Sequence, residues 1–262
     1  MYASNYFEEK ICNLLRGQSI SAPSDGLYLG LFLSNPGDDG QSGQEVTYTG
    51  YTRKAVNFTA PTASGSGLMV QNSAALTFAE ASSSVGQVTH IGVFDASATG
   101  AGNMWLYAQL SNPLNVVSGV TPIIRAESVK FTLSGGLSTY YKTAILNTLR
   151  GTTLSGFNPY MAFFSSDPGA SGAELSGEGY ARTALSFEAP AQQSSGSAQT
   201  KNASEVLSCV AGENWGTLAF IAVMDAASNG NVFLSSAVEP SYTMTKGSAA
   251  GYHAGDLKFS VN

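Results

Sequence analysis

Apolar residues along this chain follow two rhythms. Leu137, Tyr141, Ile145 and Leu149 recur at nearly helical spacing, with Ala144 on the same face, and predict a helix ending at Arg150-Gly151. Ile11, Leu14 and Leu15 form the apolar side of an earlier helix ending at Arg16-Gly17. Gly17 and Gly151 suit the left-handed position just past a helix C-terminus. Asn5, three residues before Glu8, predicts a capping box at the start of the first helix. Elsewhere the rhythm is that of strands. Leu27–Leu33 and Tyr160–Phe164 are short apolar runs, followed by the turn sequences Asn35-Pro36-Gly37 and Asp167-Pro168-Gly169. Lys54–Phe58 and Thr183–Phe187 alternate polar with apolar, the period of a half-buried strand, and stop before Pro61 and Pro190. Further strands are predicted over Ala75–Phe78, Val88–Phe94, Met104–Leu110, Leu114–Val117 and Glu127–Leu133, with counterparts downstream.

The pattern occurs twice. Leu15-Arg16-Gly17 returns as Leu149-Arg150-Gly151, and Gly50-Tyr51-Thr52-Arg53 returns as Gly179-Tyr180-Ala181-Arg182. Ile91-Gly92-Val93-Phe94-Asp95-Ala96 returns as Ile221-Ala222-Val223-Met224-Asp225-Ala226, and Val129-Lys130-Phe131 returns as Leu257-Lys258-Phe259. The offset drifts only from 134 between Arg16 and Arg150, through 129 between Arg53 and Arg182, to 128 between Phe131 and Phe259. Matches in one order at a nearly constant offset mark a duplicated unit. Many short strands with turn signals at short intervals argue for an antiparallel sandwich. The expectation is a mainly β chain of two tandem antiparallel β-sandwich domains, each preceded by one short α-helix. The first covers residues 1–134 and the second 135–262, with a Gly135-Gly136 swivel at the boundary.

Composition narrows the function. Of 262 residues, 43% are hydrophobic but only 11% are charged, against a usual charged share of about 25%. Hydroxyls and backbone wet such a surface, which suits a rigid β protein outside a cell or inside an assembly. The 13 Phe and 12 Tyr supply faces too apolar for a disordered chain. Twelve basic residues against 18 acidic ones give a net charge of −6 and no basic stripe, which argues against nucleic acid as a partner. Glu8, Glu9 and Lys10 stand where a signal peptide needs an apolar core, and no run approaches the length of a membrane span. Synthesis in a cytoplasm, without membrane attachment, is expected. Cys12 and Cys209 sit at non-equivalent places in the two copies and read as small buried hydrophobes.

The usual signs of catalysis are missing. His90 lies in a strand, but the second copy has Phe220 there, so the position reads as packing rather than general base. His253 has no evident partner. No nucleophile elbow, phosphate loop or dinucleotide fingerprint occurs. Asp38-Asp39-Gly40 resembles a fragment of a calcium loop without its other ligands. No catalytic, cofactor-binding or metal-binding residue is assigned. Glu45 and Glu174 could each serve one side of an acid/base pair. Both, however, precede an arginine by eight residues, Arg53 and Arg182, so a structural ion pair repeated in each half is the favoured reading. Tyr28, Tyr48, Tyr51 and Trp105 could form a sugar- or protein-binding surface, although core packing is the default for such residues.

The run Leu27-Tyr28-Leu29-Gly30-Leu31-Phe32-Leu33-Ser34-Asn35-Pro36 is followed by a Gly-rich loop, Glu45-Val46, and the run Gly50 to Pro61. Together with Val88–Ala96 and Trp215-Gly216-Thr217-Leu218, this resembles a tailed-bacteriophage virion module usually described as a tail-fibre protein and mostly present in one copy. The second copy departs from the pattern at Asn158-Pro159-Tyr160, Phe220 and Met224, which suggests that the copies face different neighbours. The resemblance implies a non-enzymatic virion component, either a tail- or neck-fibre type or a capsid-decorating protein. Its partners would be other virion proteins and further copies of itself. A carbohydrate- or receptor-binding module on the particle surface is the alternative. The chain lacks the heptad or collagen-like stalk of a long fibre.

Overall fold

The computed structural model describes residues 1–261. The first half runs β1 (Tyr2–Ala3), α1 (Asn5–Asn13), β2 (Leu27–Phe32), β3 (Lys54–Val56), β4 (Thr62–Ser64), β5 (Gly67–Gln71), β6 (Leu76–Thr77), β7 (Gly86–Phe94), β8 (Met104–Val116), β9 (Ile123–Ile124) and β10 (Lys130–Leu133). The second runs α2 (Thr139–Thr148), β11 (Tyr160–Phe164), β12 (Thr183–Ala184), β13 (Ala191–Gln192), β14 (Ala198–Lys201), β15 (Val206–Leu207), β16 (Gly216–Met224), β17 (Val232–Met244), β18 (Gly251–Tyr252) and β19 (Lys258–Val261). Among the described residues no helix is long and apolar enough to cross a membrane.

The strand orders agree. One sheet is ordered β8-β7-β2-β3 in the first half and β17-β16-β11-β12 in the second; the facing sheets are β10-β5-β4 and β19-β14-β13, and the small pairs are β6-β9 and β15-β18. All pairings are antiparallel. Each half is therefore a β-sandwich opened by a short helix. β2 is buried along most of its length because it lies inside its sheet, between β7 and β3, and its apolar run meets the facing layer.

Three details differ from the sequence expectation. The first helix is capped by Ser4, not Asn5: the Ser4 Oγ accepts from the Phe7 N–H at 3.3 Å. Ser138 caps α2 through the Tyr141 N–H in the same way. The two strands predicted on either side of Pro113 are one strand, β8. Its register against β7 jumps between Val88 and His90, and Pro113 falls in that irregularity on the outer strand, where its missing N–H costs little. The hairpin β4–β5 is absent from the sequence reading because Ser64-Gly65-Ser66-Gly67 carries no apolar alternation.

The helices join the halves. Helix α1 packs on β8 of its own half but also on β14 and β19 of the other, and α2 packs on β17 of its own half and on β5 of the first. Phe7, Ile11, Cys12 and Leu14 are fully buried in this way, as are Ile145 and Leu146. Each large side chain so buried contributes about 2 kcal/mol. The main core is consequently one continuous cluster drawing on both halves. Neither sandwich closes its apolar face without the helix that the other half holds in place.

Hydrogen bonds beside the helices follow the same two-fold logic. Ile20 N–H donates to the Leu154 carbonyl at 2.9 Å, and Leu154 N–H donates back to Ile20 at 3.0 Å. Ala22 N–H donates to Thr153 Oγ1 at 3.1 Å, and Gly156 N–H to Ser19 Oγ at 3.0 Å. Ser19, Ile20 and Ala22 correspond to Thr153, Leu154 and Gly156, so each bond maps onto its counterpart. A pseudo-two-fold axis runs through the Ile20–Leu154 bridge, the internal equivalent of an isologous dimer contact.

The symmetry fails at one pair of charges. Glu8 and Lys142 occupy equivalent helix positions, and both are buried. Glu8 Oε2 accepts from the Ala198 N–H at 2.9 Å, whereas Lys142 Nζ donates toward the Ser66 carbonyl at 3.5 Å. Each charge meets a backbone group of opposite polarity on the other half. Burial, with smaller contributions from Asp38 and Glu9, pushes the Glu8 carboxyl up to about 7, against the lowering effect of the Ala198 bond.

Two outcomes follow. A side chain at Gly156 would run into the carbonyl of Gly17 across the axis. Gly156→Ala should therefore lower stability by about 1–3 kcal/mol in urea unfolding. For Glu8, both states are protonated below the unfolded chain's value of about 4.3. Above it the unfolded chain ionises first, so stability falls as pH rises towards about 7. Unfolding midpoints measured across this window should show that decline, and Glu8→Gln should flatten it.

Candidate functional site

The repeated carboxylate and arginine meet in both halves. An isolated bridge from Phe32 to Glu45 lays the Gly-rich loop against the end of β2, and Phe164–Glu174 does the same beside β11. Arg53 then reaches Glu45 through two parallel bonds, Nε to Oε1 at 2.8 Å and Nη2 to Oε2 at 2.8 Å. Arg182 holds Glu174 in the same fork at 2.9 and 2.7 Å. Tyr51 Oη donates to Glu45 Oε1 at 3.2 Å while accepting from the Leu31 N–H at 2.8 Å. Tyr180 repeats this with Glu174 at 2.8 Å and Phe163 at 3.1 Å.

The remaining guanidinium nitrogen grips a hairpin tip. Arg53 Nη1 donates to the carbonyls of Ala96 at 3.1 Å and Ala101 at 2.8 Å, on the two sides of the β7–β8 turn. Arg182 Nη1 holds Ala226 at 2.7 Å, and Asn229 as well, in the β16–β17 turn. Asp95 closes the first tip by accepting from the Asn103 N–H and side-chain amide at 2.6 and 2.9 Å, and Asp225 closes the second with Asn231 at 2.7 and 3.0 Å. Arg53 also lies over the Phe94 ring, 3.6 Å from its centre. Gly30 makes room for the fork: a Cβ there would sit 2.7 Å from Glu45 Oε1. The second half has Ala162 at that position, and its glutamate side chain is 26% exposed against 11% for Glu45.

This arrangement ties separate loops together through charge-assisted bonds. Burial alone would raise the Glu174 carboxyl, but bonds from Arg182 and Tyr180 outweigh that and hold it below the usual carboxylate range. A general acid at neutral pH needs the opposite shift. Burial, followed by the Glu174 bond, pushes the Tyr180 phenol far up, and Tyr51 behaves likewise.

Of the other sequence candidates, Tyr51 meets the fork and Trp105 Nε1 donates to Asp95 at the first tip. Trp105 is 1% exposed, inside against Phe7, and Tyr51 is buried. Tyr28 and Tyr48 are half-buried and bonded to the carbonyls of Asp25 and Ala79. Two of the four aromatic candidates, Tyr51 and Trp105, therefore face the core. His90 contacts Thr89 through Nδ1 at 2.9 Å, and burial lowers its proton affinity. Asp38 accepts from the Tyr107 hydroxyl, and Asp39 caps its own turn at the Gln41 N–H. Among the described residues no three His, Cys, Asp or Glu side chains group as a metal site. Both cysteines are free. Cys12 is buried, but Cys209 is exposed, against the expectation of two buried hydrophobes.

Sequence reading missed Asn72 and Asn202. Both are fully buried, and each donates to two carbonyls while accepting from the N–H just ahead of a strand, Val129 before β10 or Leu257 before β19. Their recurrence at the same place in both copies was the available signal.

Against this geometry, the family model for Podophage GP4 fiber I protein gp80 matches residues 2–132 and again residues 136–260. The chain belongs to this phage fibre family. Two copies of the fibre I unit span almost the whole chain, and the Arg–Glu fork recurs once within each. Membership makes the protein a structural fibre component of a virion, associated with other virion proteins. No curated protein matches it significantly.

Arg53→Met should leave the largely buried Glu45 without its counter-charge and with the Tyr51 bond alone, at a cost of about 3–5 kcal/mol in urea unfolding. Arg53→Met combined with Glu45→Leu should recover much of that loss.

Proposed function

We propose that the chain is a non-enzymatic external component of a tailed-phage particle. It is of tail- or neck-fibre type rather than capsid-decorating, and it docks on other virion proteins through its hairpin tips. The observation that carries this reading is the pseudo-two-fold packing, which fixes two equivalent tips in one body. Each tip is clamped by an arginine fork, buried in the first half and more open in the second, whose donors are paired with carboxylate and backbone oxygens, a design suited to presenting a rigid loop. Self-association fits the low charge and abundant aromatic residues. A fibre assignment is favoured over a capsid one by the family description. The glycan-binding alternative loses support because Tyr51 and Trp105 face inward.

Imaging intact particles with and without this chain tests the reading. Loss of density at the tail or neck is the expected result. Loss confined to the capsid shell would favour decoration. Particles structurally unchanged but unable to degrade a host glycan would overturn the structural role.

A further inference from the structure

The two halves differ along one edge. In the first, β1 pairs with the outer strand β8, Tyr2 opposite Tyr107 and Ala3 opposite Leu106. Met1 continues that line into the cleft between the two sheets, beside Ile91, Ala108 and Lys130. In the second half the matching segment is Gly135-Gly136-Leu137. Leu137 bridges Leu234, but Gly135 has φ +85° and turns the chain away to β10 of the first half. The first-half cleft leaves about 710 Å³ open beside Met1, and the second half, with no residue in the place of Met1, has an open-sided cavity of about 370 Å³. It reaches the inter-sheet residues Met161, Leu185, Phe187 and Val223. The first-half cleft, although wider, does not reach their equivalents Leu29, Val56 and Phe58.

The rim differs too. Glu239 and Asp256 border the second cavity, where the first half has Ser111 and Ser128. Lys258 and Lys130 are equivalent, and Arg125 lines only the first cleft, so the second rim has two added carboxylates and one guanidinium fewer. Beyond the Leu137 bridge, β17 is the edge strand of its sheet and has no further partner among the described residues. Pro240 offers no N–H, so the usable edge is short, from about Ser236 to Glu239.

We infer that this groove docks a short extended segment of another polypeptide, which adds to the β17 edge, seats an apolar side chain in the cavity and sets lysine or arginine against Glu239 and Asp256. The first half supplies the template, a strand on the matching edge with Met1 in the matching cleft. The two carboxylates supply the charge preference. Edge addition provides backbone bonds, and the cavity selects the side chain. The identification of the partner as a virion protein rests on the proposed function; the groove itself does not.

The test uses the full chain, with isotope-labelled methyl groups, titrated with the acetylated and amidated peptide Lys-Lys-Lys-Met-Tyr-Ala. Saturable shifts at Ile221, Val223, Leu234 and Val238 are expected. Ser236→Trp, whose side chain shares the face of Leu234 and Val238, should abolish them without unfolding the chain, and Val238→Trp is the second variant should the first not fold. Combining Glu239→Gln with Asp256→Asn should weaken binding about fivefold, and a peptide with glutamates in place of the lysines should bind more weakly than the original. Absence of shifts, shifts at Ile91 and Leu110 instead, or binding unaffected by both tryptophan variants would each overturn the inference. Concentration-dependent self-association of the chain alone, lost in Ser236→Trp, would assign the groove to a second copy and also overturn it. None of these outcomes depends on where the chain sits on a particle, so the groove and the proposed function fail separately.

Discussion

Everything in this molecule depends on where the two short helices bury their apolar faces. A helix of nine or ten residues is too short to hold itself together in water. It persists because Phe7, Ile11 and Leu14, or Ile145 and Leu146, find a complete apolar surround. That surround comes partly from the home sandwich and partly from the other half. The crossing turns two copies of a fold into a pair with a defined relative orientation. It also explains the backbone exchange at Ile20 and Leu154: once the helices are placed, the segments leaving them are brought alongside one another, and each satisfies the other's polar groups.

The arginine forks act one level below. A buried ion pair is a doubtful source of net stability, because desolvating both charges offsets most of the attraction. Its effect here is better seen in what it specifies. Arg53 bonds at once to a loop carboxylate, to both sides of a hairpin turn and to an aromatic face. A hydrophobic replacement could fill the volume but could not fix those three segments relative to each other. The second half keeps every one of the polar bonds although Gly30 has become Ala162 and the pair is more open to water, so the bonding pattern has outlasted changes in the packing around it.

Much of this was legible in the sequence, for a physical reason. Strands announce themselves by alternation and helices by near-fourfold spacing. A duplicated Glu and Arg, eight residues apart in both copies, marks a pair whose partners must meet. What the sequence hid is what depends on juxtaposition. Nothing in an offset tells whether α1 packs on its own β5 or on β14 of the other copy, because equivalent strands carry equivalent patterns. Trp105 looked like a surface candidate because alternation says that it lies on one face of β8 without saying that α1 covers that face. The β4–β5 hairpin escaped because its outer strand, Thr62–Ser64, carries no large apolar side chain, although Val70 on β5 is fully buried.

Divergence between the copies then separates structure from use. Positions that hold the architecture are kept: Asn72 with Asn202, Tyr51 with Tyr180, Asp95 with Asp225. Several positions facing solvent differ between the copies. Thr77 and Glu80 correspond to Leu207 and Val210, both 59% exposed. Ser111 and Ser128 correspond to Glu239 and Asp256. A copy under no demand but folding would tend to keep such surface positions polar and neutral, since exposed apolar side chains invite association and unpaired carboxylates gain nothing in isolation. The second half carries both at these positions. The first half, with its edge covered by β1, exposes large apolar side chains elsewhere, at Tyr2, Val117 and Ile123. In a pair whose cores are joined and whose clamped tips are alike, this difference gives the two sides of the molecule different surfaces.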